Sequence, residues 1–404
     1  RLKVDNLIGN VSLEPATDGA FHVTATVTTE AASEAEAEAL ARAVDFRSQD
    51  AGARSTFQVL LAEDRFPVVY DDRAPKSSFF ARSYVDYLGQ RRQVSGDAPR
   101  AVKVRVDLRV RVPDSTRLAV DNRLGPIEAR GVKADLSLET ARGSIASRDG
   151  RGSLGAETGS GAIAVAGHEG VVVADTGSGG ISIVDCACRI SADTGSGTVR
   201  VLRGSGTVDA DTGSGAVEVR DFAGSVSADT GSGRVSLTGL SAVRALEADT
   251  GSGSVRIEGD LSALERLDVD TGSGGVSIAA SAWPNMRISL GVGSGSIEAD
   301  VPGAAVRREG RRAAEVTLGA GKHRGKISTG SGSIQLGALA VSGSLELRAQ
   351  VIRQSLRTVS KGEVKGSTAI RFQYEDASQR LTIFQLIGRL ERWEIAQRDS
   401  YEKP

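Results

Sequence analysis

The chain has 404 residues with 50 basic and 51 acidic side chains, a net charge of −1, and aromatic residues at only 4%. That balance gives no basic footprint for nucleic acid or for an anionic membrane surface. No apolar run approaches the roughly 18 residues of a membrane-spanning helix, the longest being short clusters such as 170–174.

Residues 4–11, Val-Asp-Asn-Leu-Ile-Gly-Asn-Val, align without a gap on residues 120–127, Val-Asp-Asn-Arg-Leu-Gly-Pro-Ile. A first strand pair over 1–14 is therefore expected to begin a repeat that the chain leaves and resumes near residue 120. Between them, 15–119 reads as a small α+β or β-sandwich cap. Residues 21–28, 56–62 and 102–112 alternate as strands, and 33–43, rich in Ala and Glu, is the one convincing helix. Within the cap, 63–100 carries Phe66, Tyr70, Phe79, Phe80, Tyr84 and Tyr87 among Asp71, Asp72, Arg73, Lys76, Arg91 and Arg92. Its two readings are a long loop packed on the cap and a contact surface for a partner.

From 120 to 350 the chain repeats. Asp-Thr-Gly-Ser-Gly returns at Asp175, Asp193, Asp211, Asp229, Asp249 and Asp270, with threonines 18, 18, 18, 20 and 21 residues apart. Asn122, Thr140 and Thr158 extend the series upstream, Val292 and Thr329 downstream, for about eleven copies. Such a period marks a solenoid, in which one repeat cannot bury its own apolar face and stacking on neighbours supplies the core. The unit is β: in 215–230, Val217 and Val219 alternate with polar residues, 221–224 turn, and Val226, Ala228 and Thr230 alternate again. The fold class is thus all-β, a parallel β-solenoid of about eleven to twelve coils, each with two short strands and two turns, rising ~4.8 Å per coil to ~55 Å. Small residues (Ala174, Ala192, Ala210, Ala228, Ala248) and threonines line one edge, and Val and Ile the other.

The turn column comprises the six aspartates with Gly177, Gly195, Gly213, Gly231, Gly251 and Gly272. Its glycines are expected to supply positive φ, and its aspartates to accept the turn's own N–H groups as in an Asx-turn. Asp-Thr-Gly-Ser also resembles the signature of aspartic proteases, but six copies in linear register leave no unique carboxylate dyad. A bridging calcium ion would relieve repulsion between stacked carboxylates, yet each coil offers too few oxygens for the usual six to eight. No metal or cofactor is expected. Cys186 and Cys188 form Cys-x-Cys at one corner, read as two spare thiols or a local disulfide. His22, His168 and His323 are scattered, and no catalytic triad or phosphate-loop pattern occurs.

Arg307-Arg308-Glu309-Gly310-Arg311-Arg312 lies where the repeat spacing jumps to 37, which predicts an extra projecting hairpin. Past 350 the glycine period ends. The segment 351–404 reads as a hairpin over 368–374 and 381–387 followed by a tail, with Phe372, Tyr374, Phe384 and Trp393 as a second aromatic contact group.

The run 102–170, with alternating Val-Arg-Val-Asp-Leu-Arg-Val-Arg-Val-Pro, then Leu-Ala-Val-Asp-Asn-Arg-Leu-Gly, Leu-Glu-Thr-Ala-Arg-Gly-Ser-Ile and Glu-Thr-Gly-Ser-Gly, resembles the putative-adhesin β-solenoid family of bacterial envelope proteins. The resemblance spans roughly 1–350. It implies a β-coil, export or envelope attachment, and no established catalysis. An initial Arg1 fits a processed leader and a trimmed N-terminus equally, so placement in the envelope or outside the cell is an expectation.

Three function classes follow. The leading one is a non-enzymatic structural or adhesive protein whose partner is itself or a cell-surface component, with copies joined end to end by the C-terminal hairpin or tail. A second is an envelope sensor binding through the aromatic loop. A polysaccharide lyase or hydrolase would need paired carboxylates off the repeat register and aromatic platforms, and between 98 and 368 only Phe222 and Trp283 are aromatic.

Overall fold

The computed structural model describes residues 1–72, 74, 83–96 and 101–339. Alternation dictates its centre: Val217, Val219, Val226, Ala228 and Thr230 are all buried, and Glu218, Ser227 and Asp229 between them reach solvent. Burying each such valine is worth about 1.5–3 kcal/mol, but only when a neighbour covers it. The strands Val199–Thr212 and Val217–Thr230 run parallel with like residues opposite: Val199 on Val217, Ala210 on Ala228, Asp211 on Asp229, Thr212 on Thr230. The same parallel registry joins rung after rung, and the chain is an all-β parallel solenoid.

The expectation of two strands and two turns per coil holds in rungs such as Ile145–Arg148 with Arg151–Thr158 and Ile163–Ala166 with Glu169–Thr176, and is corrected in four others. Ile181–Thr194, Val199–Thr212, Val217–Thr230 and Val235–Thr250 are each one strand that bends midway while staying paired to its neighbours. The bend is built from a left-handed residue, Asp185, Arg203 or Asp221 at φ 51–55°, followed three positions on in two of these rungs by a glycine, Gly206 or Gly224, at φ 123–129°. Two positive-φ positions close together turn the backbone without withdrawing its N–H groups from the ladder. In these four rungs the strand is ended by the Gly-Ser-Gly segment rather than by the bend.

At the N-terminus, Leu2–Ile8 pairs in parallel with Arg117–Leu124, Val4 opposite Val120 and Asn6 opposite Asn122. Below that first rung the two sheets continue as Arg54–Leu61 and Lys103–Val112, which then receive antiparallel strands, Val44–Ala51 and His22–Glu30. The helix Glu34–Arg42 starts at Ser33, whose Oγ accepts the Glu36 N–H at 3.3 Å, and has no buried residue. The cap is thus an extension of the coil's own sheets.

The span 63–100, read as a long loop, contains a three-stranded sheet of Val68–Tyr70, Ser83–Tyr87 and Gln90–Ser95. Leu88 and Gly89, both at positive φ, make the two-residue hairpin turn whose twist suits paired strands. Leu at the first of these positions hides that turn from a sequence reading.

At the other end, chain order and spatial order part. The rung formed by His323–Thr329 and Ile334–Ala338 lies between the rung of Arg266–Thr271 and Val276–Ala282 and the rung of Met286–Val292 and Ile297–Asp300. The hairpin of Ala305–Arg308 and Ala313–Thr317 does not project. It pairs antiparallel on Met286–Val292 and closes that sheet. The jump in repeat spacing is the excursion needed to build this cap and return. The hairpin and tail expected over 351–404, with Phe372, Tyr374, Phe384 and Trp393, lie outside the described residues, as do Phe79 and Phe80.

Candidate functional site

The repeated pentapeptide forms one edge of the coil, and its capping residue is threonine. Thr212 is fully buried; its Oγ1–H donates to the Gly197 carbonyl of the preceding rung at 2.9 Å and accepts the Gly215 N–H at 3.1 Å. Thr158, Thr176, Thr194, Thr230, Thr250, Thr271 and Thr329 make the same pair of bonds. Asn122 substitutes, its Nδ2 donating to the Gly9 carbonyl at 2.9 Å. The hydroxyl, rather than the aspartate, holds the turn and ties it to the rung before. The sequence signal was the presence of Asn6 and Asn122 in the threonine column, since Asn also donates and accepts.

The glycine rationale changes too. None of Gly177, Gly195, Gly213, Gly231, Gly251 and Gly272 has φ in the left-handed region. Stacking excludes a side chain instead: a Cβ on Gly213 would sit 2.6 Å from the Gly195 carbonyl oxygen, and one on Gly215 would overlap the Gly197 carbonyl.

The six aspartates are exposed and stack in register, Asp175 through Asp270. Upstream the column continues through Glu157, Glu139, Asp121 and Asp5. The result is a ladder of carboxylates one strand spacing apart, about 4.8 Å. Its first members are neutralised: Lys3 Nζ is 2.9 Å from Asp5, and Arg123 bridges Asp121 and Glu139 at 2.9 and 2.7 Å. Farther along, partial burial first, and then neighbouring carboxylates, hold Asp211, Asp229 and Asp249 above the usual carboxylate range. From Asp175 to Asp270 the carboxylates repeat one position in successive rungs. Among the described residues no three His, Cys, Asp or Glu side chains are arranged to hold a metal ion.

The proposed aromatic contact group divides. Phe66 is fully buried and Tyr87 nearly so; the Tyr87 hydroxyl lies 2.5 Å from the Val59 carbonyl and 3.0 Å from that of Asp5. Burial raises the Tyr87 pKa far above its ordinary value, with the Asp5 and Asp121 charges adding to it. Both rings anchor the small sheet to the coil and cannot serve as a contact surface. Tyr70 and Tyr84 are half-buried beneath cations, Lys103 Nζ at 5.7 Å and the Arg91 guanidinium at 4.4 Å. Cys186 and Cys188 are buried and joined as a disulfide.

A family model described as Toastrack DUF4097 matches residues 103–337, more than half of the chain. No curated protein matches. Among solved structures, a "putative cell adhesion protein" from Clostridium sporogenes is similar at 9% identity over 84% of this chain and 92% of its own, with a TM-score of 0.16.

Proposed function

The chain belongs to the Toastrack DUF4097 family, and from that premise we propose that it is a non-enzymatic, exported structural or adhesive solenoid of the bacterial cell envelope. The observation that carries this reading is the repeated parallel ladder, in which the threonines and glycines of the turn column serve stacking. The threonines cap, the glycines make room, and the aspartates from Asp175 to Asp270 repeat one position. A disulfide between Cys186 and Cys188 supports an oxidising compartment. Burial of Phe66 and Tyr87 weighs against a sensor working through the aromatic loop.

Joining of copies end to end belongs to the same reading, and it falls to the C-terminal segment. Two of the edge strands carry charges, Asp45, Arg47 and Asp50 on Val44–Ala51 and Arg307 and Arg308 on Ala305–Arg308, which discourage direct edge pairing there. The test is paired. Protease treatment of intact cells should degrade the protein if it is displayed outside, and full protection overturns the surface reading. Light scattering of purified protein with and without 369–404 should show polymers reduced to monomers, and equal monomeric mass in both overturns joining while leaving display untouched.

A further inference from the structure

Among the outermost strands of the coil's sheets, His22–Glu30 lacks the devices that keep an edge from pairing. Val44–Ala51 and Ala305–Arg308 carry charges, and Ile297–Asp300 is four residues long with Glu298 and Asp300. His22–Glu30 is nine residues long and, among the described strands, pairs with Lys103–Val112 alone, in unbroken register. Between His22 and Glu30 it reads Val-Thr-Ala-Thr-Val-Thr-Thr, with no proline, glycine or charged side chain. Short length, charges, prolines and bulges are the usual protection, and an edge without them is open to another strand.

The free edge can be read residue by residue. The Leu108 N–H and the Val112 carbonyl bond residues 10 and 16 on the opposite side, so the odd-numbered residues of Lys103–Val112 are those that face His22–Glu30. They stand opposite Thr24, Thr26 and Thr28, whose backbone groups are thereby spent. Alternation then turns the N–H and carbonyl groups of Val23, Ala25, Val27 and Thr29 outward, and no partner for them occurs among the described residues. The following helix is tied to this strand by a side chain, Thr29 Oγ1 donating to the Ala37 carbonyl at 2.6 Å, and takes none of these groups. Val23, Ala25 and Val27 are only half-buried, and Phe46 on the outermost strand of the other sheet is exposed, so the core is partly uncovered at this end.

We propose that His22–Glu30 pairs antiparallel with the same strand of a second copy about a two-fold axis at Thr26, joining two coils into one continuous sheet. The strand is complementary to itself in that register. Ala25 falls opposite Val27 and Val23 opposite Thr29, each through its outward groups, for about eight hydrogen bonds. Thr24 meets Thr28, and Thr26 meets its own copy, pairs that suit adjacent strands. At either end His22, 2.6 Å from Asp18, comes opposite Glu30, 2.6 Å from Lys103, so charges alternate in sign. A shift of one residue sets outward groups against spent ones, and a shift of two separates His22 from Glu30. One strand pair is a small interface, at the weak end of specific contacts, so the joint forms where copies are crowded and dilute protein stays apart. It does not involve the C-terminal segment and holds whether or not that segment joins copies.

Thr26→Cys in the full-length protein tests the register. The chain's two cysteines are joined to each other, so the new thiol is the only free one. Facing residues at such a non-hydrogen-bonded position lie about 4.5 Å apart between Cα atoms, within the roughly 4.4–6.8 Å that a disulfide spans. Mild oxidation of concentrated protein is expected to give a covalent dimer on non-reducing electrophoresis. Thr24→Cys or Thr28→Cys alone should cross-link on the order of tenfold more slowly, since like positions are then about 14 Å apart, whereas a mixture of the two should give the dimer. All three threonines are exposed, so chance collision affects them equally. Ala25→Pro, which removes an outward N–H and spares the existing ladder, should abolish cross-linking of Thr26→Cys. Should that variant fail to fold, the comparison among positions 24, 26 and 28 decides. No dimer from Thr26→Cys, equal rates at all three positions, or a dimer that persists in folded Ala25→Pro overturns the proposal.

Discussion

Replacing Gly215 by Ala tests the claim that stacking, rather than backbone conformation, demands glycine at the turn edge. The added Cβ overlaps the Gly197 carbonyl of the preceding rung, so the two rungs must separate locally by on the order of 1 Å, since ordinary contacts begin beyond about 3 Å. Separation breaks the two bonds that cross between the rungs, Thr212 to the Gly197 carbonyl at 2.9 Å and the Val199 N–H to the Ala216 carbonyl at 3.0 Å. At about 1 kcal/mol net for each, and more where a buried group is left unpaired, the cost is roughly 2–4 kcal/mol. Repeat arrays lose two-state cooperativity, so the readout should be local. Hydrogen exchange of peptides covering 197–216 should accelerate strongly, alongside a lowered urea midpoint. Gly291→Ala is the control, because nothing lies within 4 Å of its Cβ position. If Gly215→Ala exchanges and melts like that control, the stacking argument is refuted.

Thr212→Val keeps the shape but removes the hydroxyl, leaving the Gly197 carbonyl and Gly215 N–H unpaired; a loss of about 1–3 kcal/mol is expected by urea denaturation, and a neutral result would return the capping role to Asp211. Val219→Asp buries an unpaired charge opposite Val201 and Leu237 and should abolish the local stack, so soluble protein with an unchanged circular-dichroism melt contradicts the inward register. Asp211→Asn removes repulsion from Asp193 and Asp229. At ~4.8 Å in water each neighbour contributes ~0.9 kcal/mol, roughly halved by screening at physiological salt, so the variant should melt higher than wild type at low salt and equal to it in concentrated salt. Because the folded pKa is raised, the ladder's penalty is absent below about pH 3.8 and appears as pH rises through the folded value; a calcium-dependent stabilisation lost in Asp211→Asn would instead establish a cation site. His168 is buried, bonds Gly152 through Nε2 at 3.1 Å, and burial holds its pKa below the ordinary value. Its contribution is full above about pH 6.5 and lost as pH falls through the folded value, so melting should drop on acidification in wild type and much less in His168→Phe.

Periodicity made the coil legible. Val217, Val219 and Val226 alternate, and the echo of 4–11 in 120–127 marks the strand pair that the structure places in register. The turn chemistry was harder to read, because Asp, Thr and Gly each have an ordinary local role in a turn. What decides among them is the next rung, 18 residues away, which turns glycine from a source of positive φ into a gap for a carbonyl. The same non-local cause hid the sheet within 63–100, whose buried Tyr87 answers to backbone carbonyls of residues 5 and 59.

The displaced rung at 323–338 sets a schedule. Interior rungs up to Ala282 can be laid down as the chain emerges, each on the one before. Residues 286–300 cannot follow, since their seat is His323–Thr329 and Ile334–Ala338, which do not yet exist. The first strand waits as well, for Arg117–Leu124. A nascent chain stopped near residue 300 therefore holds a strand pair with the right pattern and the wrong neighbour, facing Arg266–Thr271. A ribosome pausing there would expose a point at which a repeat can stack out of order.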